Sequence, residues 1–424
     1  MNKIPLTKLD LTIYREVLDN GLTIYVLPKN NVSNIYATLT TKYGSNVNEF
    51  KIPGESKFIK VNDGIAHFLE HKLFETEEGG DPFTFFSNNG ADANASTTLD
   101  KTSYLFTGPD KFKENLNYLL DYVQSPYFTD ENVEKEKGII EEEILMYKDN
   151  PYSCLYDQSL FNSFVVEPIR YSVLGTKTSI STITKEMLYT CYNTFYNPSN
   201  LVLVVSGNVD EDYVFNIVKD NQDGKEFRKT EKIETKEYKE PDYVLKKEVK
   251  IKQNVTIPKI ALNYKFNISK LNKYQLPVIR SLIYQFFNIK LGFTSKFNED
   301  IKREKLCNDH VDISVVNTKT HMLVTIFADT NKPKELIEKI KEVLNDKEID
   351  EMELERKKKV LKSSYIYSGD NIFRLGNKII NNIVSYDIIL DDCSFIDGLK
   401  IESLNDIINS IDFSNICEVI IDSK

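Results

Sequence analysis

His67-Phe68-Leu69-Glu70-His71 puts two of the chain's four histidines one helical turn apart, with a glutamate beside the second. On an α-helix, residues i, i+3 and i+4 share a face. His67, Glu70 and His71 therefore project together, while Phe68 and Leu69 turn toward packing partners. Two neutral imidazoles at this spacing can hold one Zn2+ at ~2.0–2.1 Å each. A carboxylate beside them can take a proton from a metal-activated water. That is equipment for hydrolysing a peptide bond, in the order H-x-x-E-H rather than the commoner H-E-x-x-H. Two histidines on a helix can also be a buried polar pair. The flanks Gly64-Ile65-Ala66 and Leu73-Phe74 supply the apolar back of a buried helix, and Asp63 is placed to cap its start.

Zinc in a hydrolytic site needs a third protein ligand and an open position. The remaining histidines, His310 and His321, are far along the chain, so the spacing points to a carboxylate. Thr129 through Lys148 reads as a helix, stopped at Asn150-Pro151 because proline cannot continue it. Glu136, Ile140, Glu143 and Tyr147 fall at i, i+4, i+7 and i+11 on one stripe of it. Two carboxylates two turns apart on a partly apolar stripe suit a pair in which one binds metal and the other acts behind it. Glu141 and Glu142 read as charged outer surface.

Other elements must position these helices. Asn20-Gly21 marks a tight hairpin turn. Leu22–Leu27 and Ile35–Thr40 read as strands by their β-branched content, as do Ala91–Thr97, Thr102–Phe106 and the apolar run Leu201–Ser206. A helix is expected around Asp110–Gln124. From Asp220 to Pro241 apolar residues are few, which predicts a linker over 221–245 between domains at 1–220 and 246–424. The second half repeats the alternation, with strands near Lys259–Phe266, Val311–Val316 and Met322–Phe327, a helix near Lys273–Phe287, and helices from Lys332 onward. It has no second H-x-x-E-H.

A chain of 424 residues, 41% hydrophobic and 11% aromatic, has material for two cores. A net charge of −10 argues against nucleic acid or an anionic membrane as the main partner. The first residues, Met1-Asn2-Lys3-Ile4-Pro5, show no apolar signal core, and no run of ~18 apolar residues could span a membrane. Five scattered cysteines without a C-x-x-C pair predict reduced thiols in a cytoplasmic protein.

Gly64 to Glu75 and Val133 to Ile144 together resemble the pitrilysin/mitochondrial-processing-peptidase family, the inverzincin zinc peptidases, and most closely its short bacterial YmfH-like members. The later stretches Gly90 to Thr97, Leu174-Gly175-Thr176 and Phe195 to Leu201 match further landmarks in order. The resemblance implies an α+β fold of two similarly folded α/β domains. Each would be an antiparallel-type sheet packed by helices, and together they would make half of a clamshell chamber. It assigns zinc to His67, His71 and Glu143, which lies 72 residues after His71, with Glu70 as general base and Glu136 behind the ligands. It makes Asp92–Ser96 the strand that pairs with a peptide substrate, with Asn94 and Ala95 the contact positions; a turn or bulge is the other reading of Asn94. A family arginine from the second domain falls on Lys302, with Arg303 one residue away, and the position of a family tyrosine falls near Asn308, which has no phenol. Larger family members enclose substrate in a chamber of four such domains and this chain has length for two, so a homodimer or a heterodimer with a related subunit is expected. Some relatives are assembly subunits that bind peptides or partners without cutting, which is the alternative function.

Overall fold

The computed structural model describes residues 1–424 except 78, 228–231, 308 and 391. The chain forms two compact units whose segments interleave: Met1–Ile144, Ser172–Glu237 and Ser364–Asp391 make the first, and Leu145–Tyr171, Tyr238–Ser363 and Asp392–Lys424 the second.

The chain runs β1 (Asn2–Leu6), β2 (Leu11–Val17), β3 (Thr23–Pro28), β4 (Ile35–Thr41) and a small hairpin of β5 (Glu49–Lys51) and β6 (Phe58–Lys60). It continues through α1 (Ile65–Lys72), α2 (Pro82–Asn88), β7 (Asp92–Thr97) and β8 (Thr102–Gly108). Helices α3 (Phe112–Val123), α4 (Asp130–Asp149), α5 (Pro151–Ser163), α6 (Lys177–Ser181) and α7 (Lys185–Phe195) follow, then β9 (Leu201–Gly207) and α8 (Glu211–Asp223). Beyond them come β10 (Glu248–Gln253), β11 (Lys259–Asn267), α9 (Leu276–Leu291), α10 (Lys296–Arg303), β12 (Asp312–Asn317) and β13 (His321–Asp329). The chain closes with α11 (Pro333–Asn345), α12 (Glu351–Ser368), α13 (Ile372–Tyr386), α14 (Asp392–Gly398), α15 (Ile401–Ser410) and β14 (Ile416–Ser423).

The first sheet has the order β1-β2-β3-β9-β4-β8-β7 and the second β10-β14-β11-β13-β12. Setting β1 and β2 aside, the two sheets share one plan. In each, the fifth strand of the set slips between the first and second, parallel to the first (β3 with β9, β10 with β14), and the other pairs are antiparallel. Each inserts its helices at matching points: α3–α7 before β9, and α11–α15 before β14. The expected pair of similar α/β folds is therefore present in the strand order itself.

Central strands β4 and β9 are buried at every position, so both faces of the first sheet are covered. On one face the main core packs α1, α3 and α7 against Ile24, Val26, Ala37, Leu39, Leu203 and Val205. On the other, Leu375, Ile379, Ile380 and Ile383 of α13 cover Leu6, Ile13, Tyr25, Leu27, Val202 and Val204. Those α13 residues recur at helical spacing, as an amphipathic helix requires. The second unit uses the reciprocal device: Leu155 of α5 packs on Ala261, Cys417, Val419 and Ile421.

This interleaving corrects the linear division at 1–220, 221–245 and 246–424. A helix from each half of the chain covers the sheet of the other half. The charged stretch is also more than a linker. Lys51 donates its backbone N–H to Glu234 O at 2.9 Å, Lys236 does the same to Glu49 O at 2.9 Å, and Phe50 bridges Thr235. Glu240, with a side chain 0% exposed, pairs with the equally buried Lys265 and accepts the backbone N–H groups of Val165, Val166 and Glu167 at 2.8, 2.8 and 2.9 Å. That anchor fixes the exit of α5, and losing one partner would strand a buried charge. Composition alone read the stretch as polar and missed both attachments.

Candidate metal centre

Helix α1 is short and almost wholly inside: Ile65, Ala66, His67, Phe68, Leu69, Glu70 and Lys72 are all buried. Gly64, not Asp63, is its N-cap, at φ 90°, where a β-carbon would sit 2.5 Å from Leu174 O. Asp63 instead accepts from Asn48 Nδ2 at 2.9 Å, while its carbonyl accepts from Ser179 Oγ at 2.8 Å. Helix α4 buries Val133, Glu136, Ile140 and Ile144 on one stripe and leaves Glu143 half-buried beside it. The apolar members hold the helix down, and the two carboxylates are carried to α1 with them.

There the sequence-predicted residues meet. Glu143 Oε2 lies 3.6 Å from His67 Nε2 and 3.4 Å from His71 Nε2, and the donor atoms of the three residues fall within 4.8 Å of one another. The imidazole rings are 4.5 Å apart and tilted by 60°. On the far side of His71, Glu136 Oε1 is 2.9 Å from Nδ1. A carboxylate at that distance accepts the Nδ1–H hydrogen bond and fixes the ring with Nε2 facing Glu143. The fully buried Lys72 ammonium pairs with Glu75 at 2.7 Å, lies 3.6 Å from Glu136 Oε2, and donates to Asn132 O at 3.2 Å. Its charge thus serves Glu136 from behind.

The electrostatics agree with this division. Burial, helped by the His71 charge, lowers His67 to about 4, so this imidazole stays neutral; among the described residues its buried Nδ1 has no hydrogen-bond partner. Burial pulls His71 down, but its hydrogen bonds to Glu136 and Glu143 outweigh that and raise it to about 9. The His71 hydrogen bond lowers Glu143. Burial works against ionising Glu136, yet His71 and Lys72 bring it below the usual carboxylate range. Burial raises Glu70, whose Oε2 accepts the Thr97 hydroxyl at 2.6 Å. Two imidazole nitrogens and a carboxylate oxygen converging on one point fit a tetrahedral zinc site with one position left over.

Asn94 and Ala95 lie on β7, at the edge of the first sheet beyond β8. The register from Asp92↔Thr107 to Thr97↔Thr102 runs without slippage, so Asn94 is a regular strand residue and not a turn or bulge. Its side chain is outward, and its Oδ1 accepts the Ala95 backbone N–H at 2.8 Å. Lys302 and Arg303 end α10 in the second unit. Lys302 Nζ stands 5.2 Å over the Phe293 ring and 4.0 Å from Asp309, and Arg303 pairs with Asp300 one turn earlier. Asn308 lies outside the described residues. Sequence reasoning missed Lys72 and Thr97. Lys72 adjoins the motif but looks like any surface lysine, and Thr97 meets Glu70 only through the strand-to-helix packing.

Comparison with known proteins points the same way. A family model described as Insulinase (Peptidase family M16) matches residues 59–177, and one described as Peptidase M16 inactive domain matches residues 182–361. The chain is 41% identical over 362 residues to the uncharacterized zinc protease YmfH of Bacillus subtilis, covering 83% of each chain. A crystal structure described as an M16-like peptidase from Alicyclobacillus acidocaldarius superposes with a TM-score of 0.91 at 29% identity, over 98% of this chain and 99% of that one. The periplasmic protease PqqL of Escherichia coli shares the fold, with a TM-score of 0.71 at 17% identity; 99% of this chain covers 48% of that one. With this fold, these matched segments and a near full-length zinc-protease relative, the chain belongs to peptidase family M16.

Proposed function

We propose that the chain is a zinc-dependent endopeptidase that cuts short or unfolded peptides or matures a specific peptide or protein, with His67, His71 and Glu143 holding the metal and Glu70 acting as general base. The observation that carries this reading is the convergence of His67 Nε2, His71 Nε2 and Glu143 Oε2 beside a buried Glu70. Zinc, when bound, would acidify a water and polarise the scissile carbonyl. Glu70 would take a proton from the attacking water and later deliver it to the leaving amine, work favoured by a carboxyl that burial has raised above its ordinary value. Glu136 holds the Nδ1 proton of His71 and so keeps the ring's orientation. The edge of β7 around Asn94 and Ala95 offers unpaired backbone groups to an extended peptide, which would be recognised by its main chain more than by its side chains. Asn94 must then release the Ala95 N–H it holds. By the family resemblance, Lys302 or Arg303 is proposed as a cation that meets substrate.

The proposal includes a cytoplasmic location, consistent with the scattered cysteines; among the described residues no helix is long and apolar enough to cross a membrane. It also includes association with a second copy or a related subunit. This chain spans about half of one longer relative that shares its fold, which supports the need for another half. Light scattering over a dilution series, alone and with a co-expressed relative, checks this. A chain strictly monomeric at full specific activity would contradict it.

An assembly subunit without turnover is the second reading, favoured by the match of residues 182–361 to a domain described as inactive. The intact base beside the imidazoles speaks against it for the chain as a whole. One experiment separates the two. Purified protein is given an unfolded peptide pool before and after dialysis against a chelator, then again with zinc restored. Cleavage that disappears and returns supports the peptidase, and zinc-replete protein that cuts nothing, alone or with its partner, supports the subunit.

A further inference from the structure

No motif spacing singles out Thr97, yet its hydroxyl stands 2.6 Å from Glu70 Oε2. Thr97 ends β7, whose alternation turns Ala93, Ala95 and Thr97 inward and Asp92, Asn94 and Ser96 outward. Ala93 and Ala95 pack on the core of the first unit. At the third inward position a methyl-only side chain would pack equally well, and the chain instead carries a hydroxyl against the carboxylate.

The direction of that hydroxyl's proton follows from its neighbours. Two acceptors compete for it: Glu70 Oε2 at 2.6 Å and Thr102 Oγ1 at 3.3 Å. The shorter contact is also the one to a carboxylate, and charge-assisted bonds are about twice as strong as neutral ones. Thr102, paired with Thr97 across the β7–β8 ladder, gives its own proton to the Tyr43 carbonyl at 2.9 Å. We infer that Thr97 is a positioning residue for the base: its hydroxyl clamps Glu70 Oε2, fixes the plane of the carboxylate, and leaves Oε1 as the oxygen that takes the proton. This rests on the peptidase reading above. Because Thr97 is the last residue of the proposed peptide-binding strand, the same residue ties the strand's position to that of the base.

The test compares wild type with Thr97→Val, which keeps the β-branched shape without the hydroxyl, with Thr97→Ala, which repeats the alanines of the strand, and with Thr97→Ser, which restores the donor. Steady-state cleavage of a fluorogenic unfolded peptide is read with zinc content and thermal unfolding of each protein. Thr97→Val and Thr97→Ala should lower kcat about 10–100-fold, the scale expected when a reacting group is misplaced by an ångström. KM should stay within about twofold and zinc near wild type, and Thr97→Ser should recover most of the loss. If either hydroxyl-free variant keeps more than half of wild-type kcat, if the loss falls on KM alone, or if Ser is no better than Ala, the inference is overturned while the peptidase reading stands. A zinc-replete wild type that cleaves nothing overturns the peptidase reading and this inference with it.

Discussion

His71 is held from two sides by one helix: Glu136 meets Nδ1 at 2.9 Å, and Glu143 lies 3.4 Å from Nε2. The two carboxylates are seven residues apart on α4 and differ in burial, and that difference separates their tasks. In the proposed site Glu136, enclosed beside Lys72, would orient the ring, and the half-buried Glu143 would keep an oxygen for metal. A Glu136→Gln variant should lose about 10–100-fold in zinc affinity or activity, since a neutral amide holds the Nδ1 proton less strongly. Competition against a chromogenic chelator measures it, and unchanged affinity with unchanged turnover would reduce Glu136 to a core charge. The grouping of His67, Glu70 and His71, and of Glu136 with Glu143, was legible because each set sits on one helix, where spacing determines who shares a face, while the choice of Glu143 over Glu136 came from the family resemblance. Thr97 was not, because its contact with Glu70 joins a strand to a helix, and no periodicity within either element encodes it.

At the scale of elements, local signals were read well and partners were not. Leu22–Leu27, Ile35–Thr40 and Leu201–Ser206 carry the β-branched content that made them recognisable, and they became β3, β4 and β9. Nothing local says that β9 and β14, late in their halves, slide between earlier strands. That order is set by which faces can be buried together. Packing also decides what a helix residue is worth. Gly376 on α13 lies against the sheet, where a β-carbon would come 2.6 Å from Tyr36 Cε1, and the buried Tyr36 ring is further held by its hydrogen bond to Asn377 Oδ1 at 3.0 Å. Gly138 on α4 is exposed, and a β-carbon there would meet none of the described atoms within 4 Å beyond its own helix backbone. Gly138→Ala should therefore stabilise by about 0.5–1 kcal/mol through helix propensity. Gly376→Ala should destabilise by about 1–3 kcal/mol through overpacking. Chemical denaturation of both variants checks the opposite signs, and two stabilising substitutions would mean that α13 does not sit against Tyr36.

For the molecule as a whole, the exchange of α5 and α13 means that neither unit is a continuous piece of sequence. The charged stretch 221–245 looked like a boundary because hydropathy records composition along the chain and not which sheet a distant helix covers. Residues 1–220 expressed alone would leave Leu6, Ile13, Tyr25, Leu27, Val202 and Val204 without the α13 side chains that cover them. Such an exposed face should make the fragment aggregate or unfold tens of degrees below the full chain. Co-expression with residues 246–424 should restore a soluble complex. A stable, monomeric 1–220 fragment would contradict the interleaved division. In the proposed mechanism Glu70 moves protons for a metal it does not bind. Metal content and peptide cleavage measured together on Glu70→Gln test it most directly. The variant should hold about one zinc per chain, as in wild type, with turnover reduced by about 10²–10⁴-fold. Zinc-loaded Glu70→Gln protein that cleaves the peptide at the wild-type rate would contradict it.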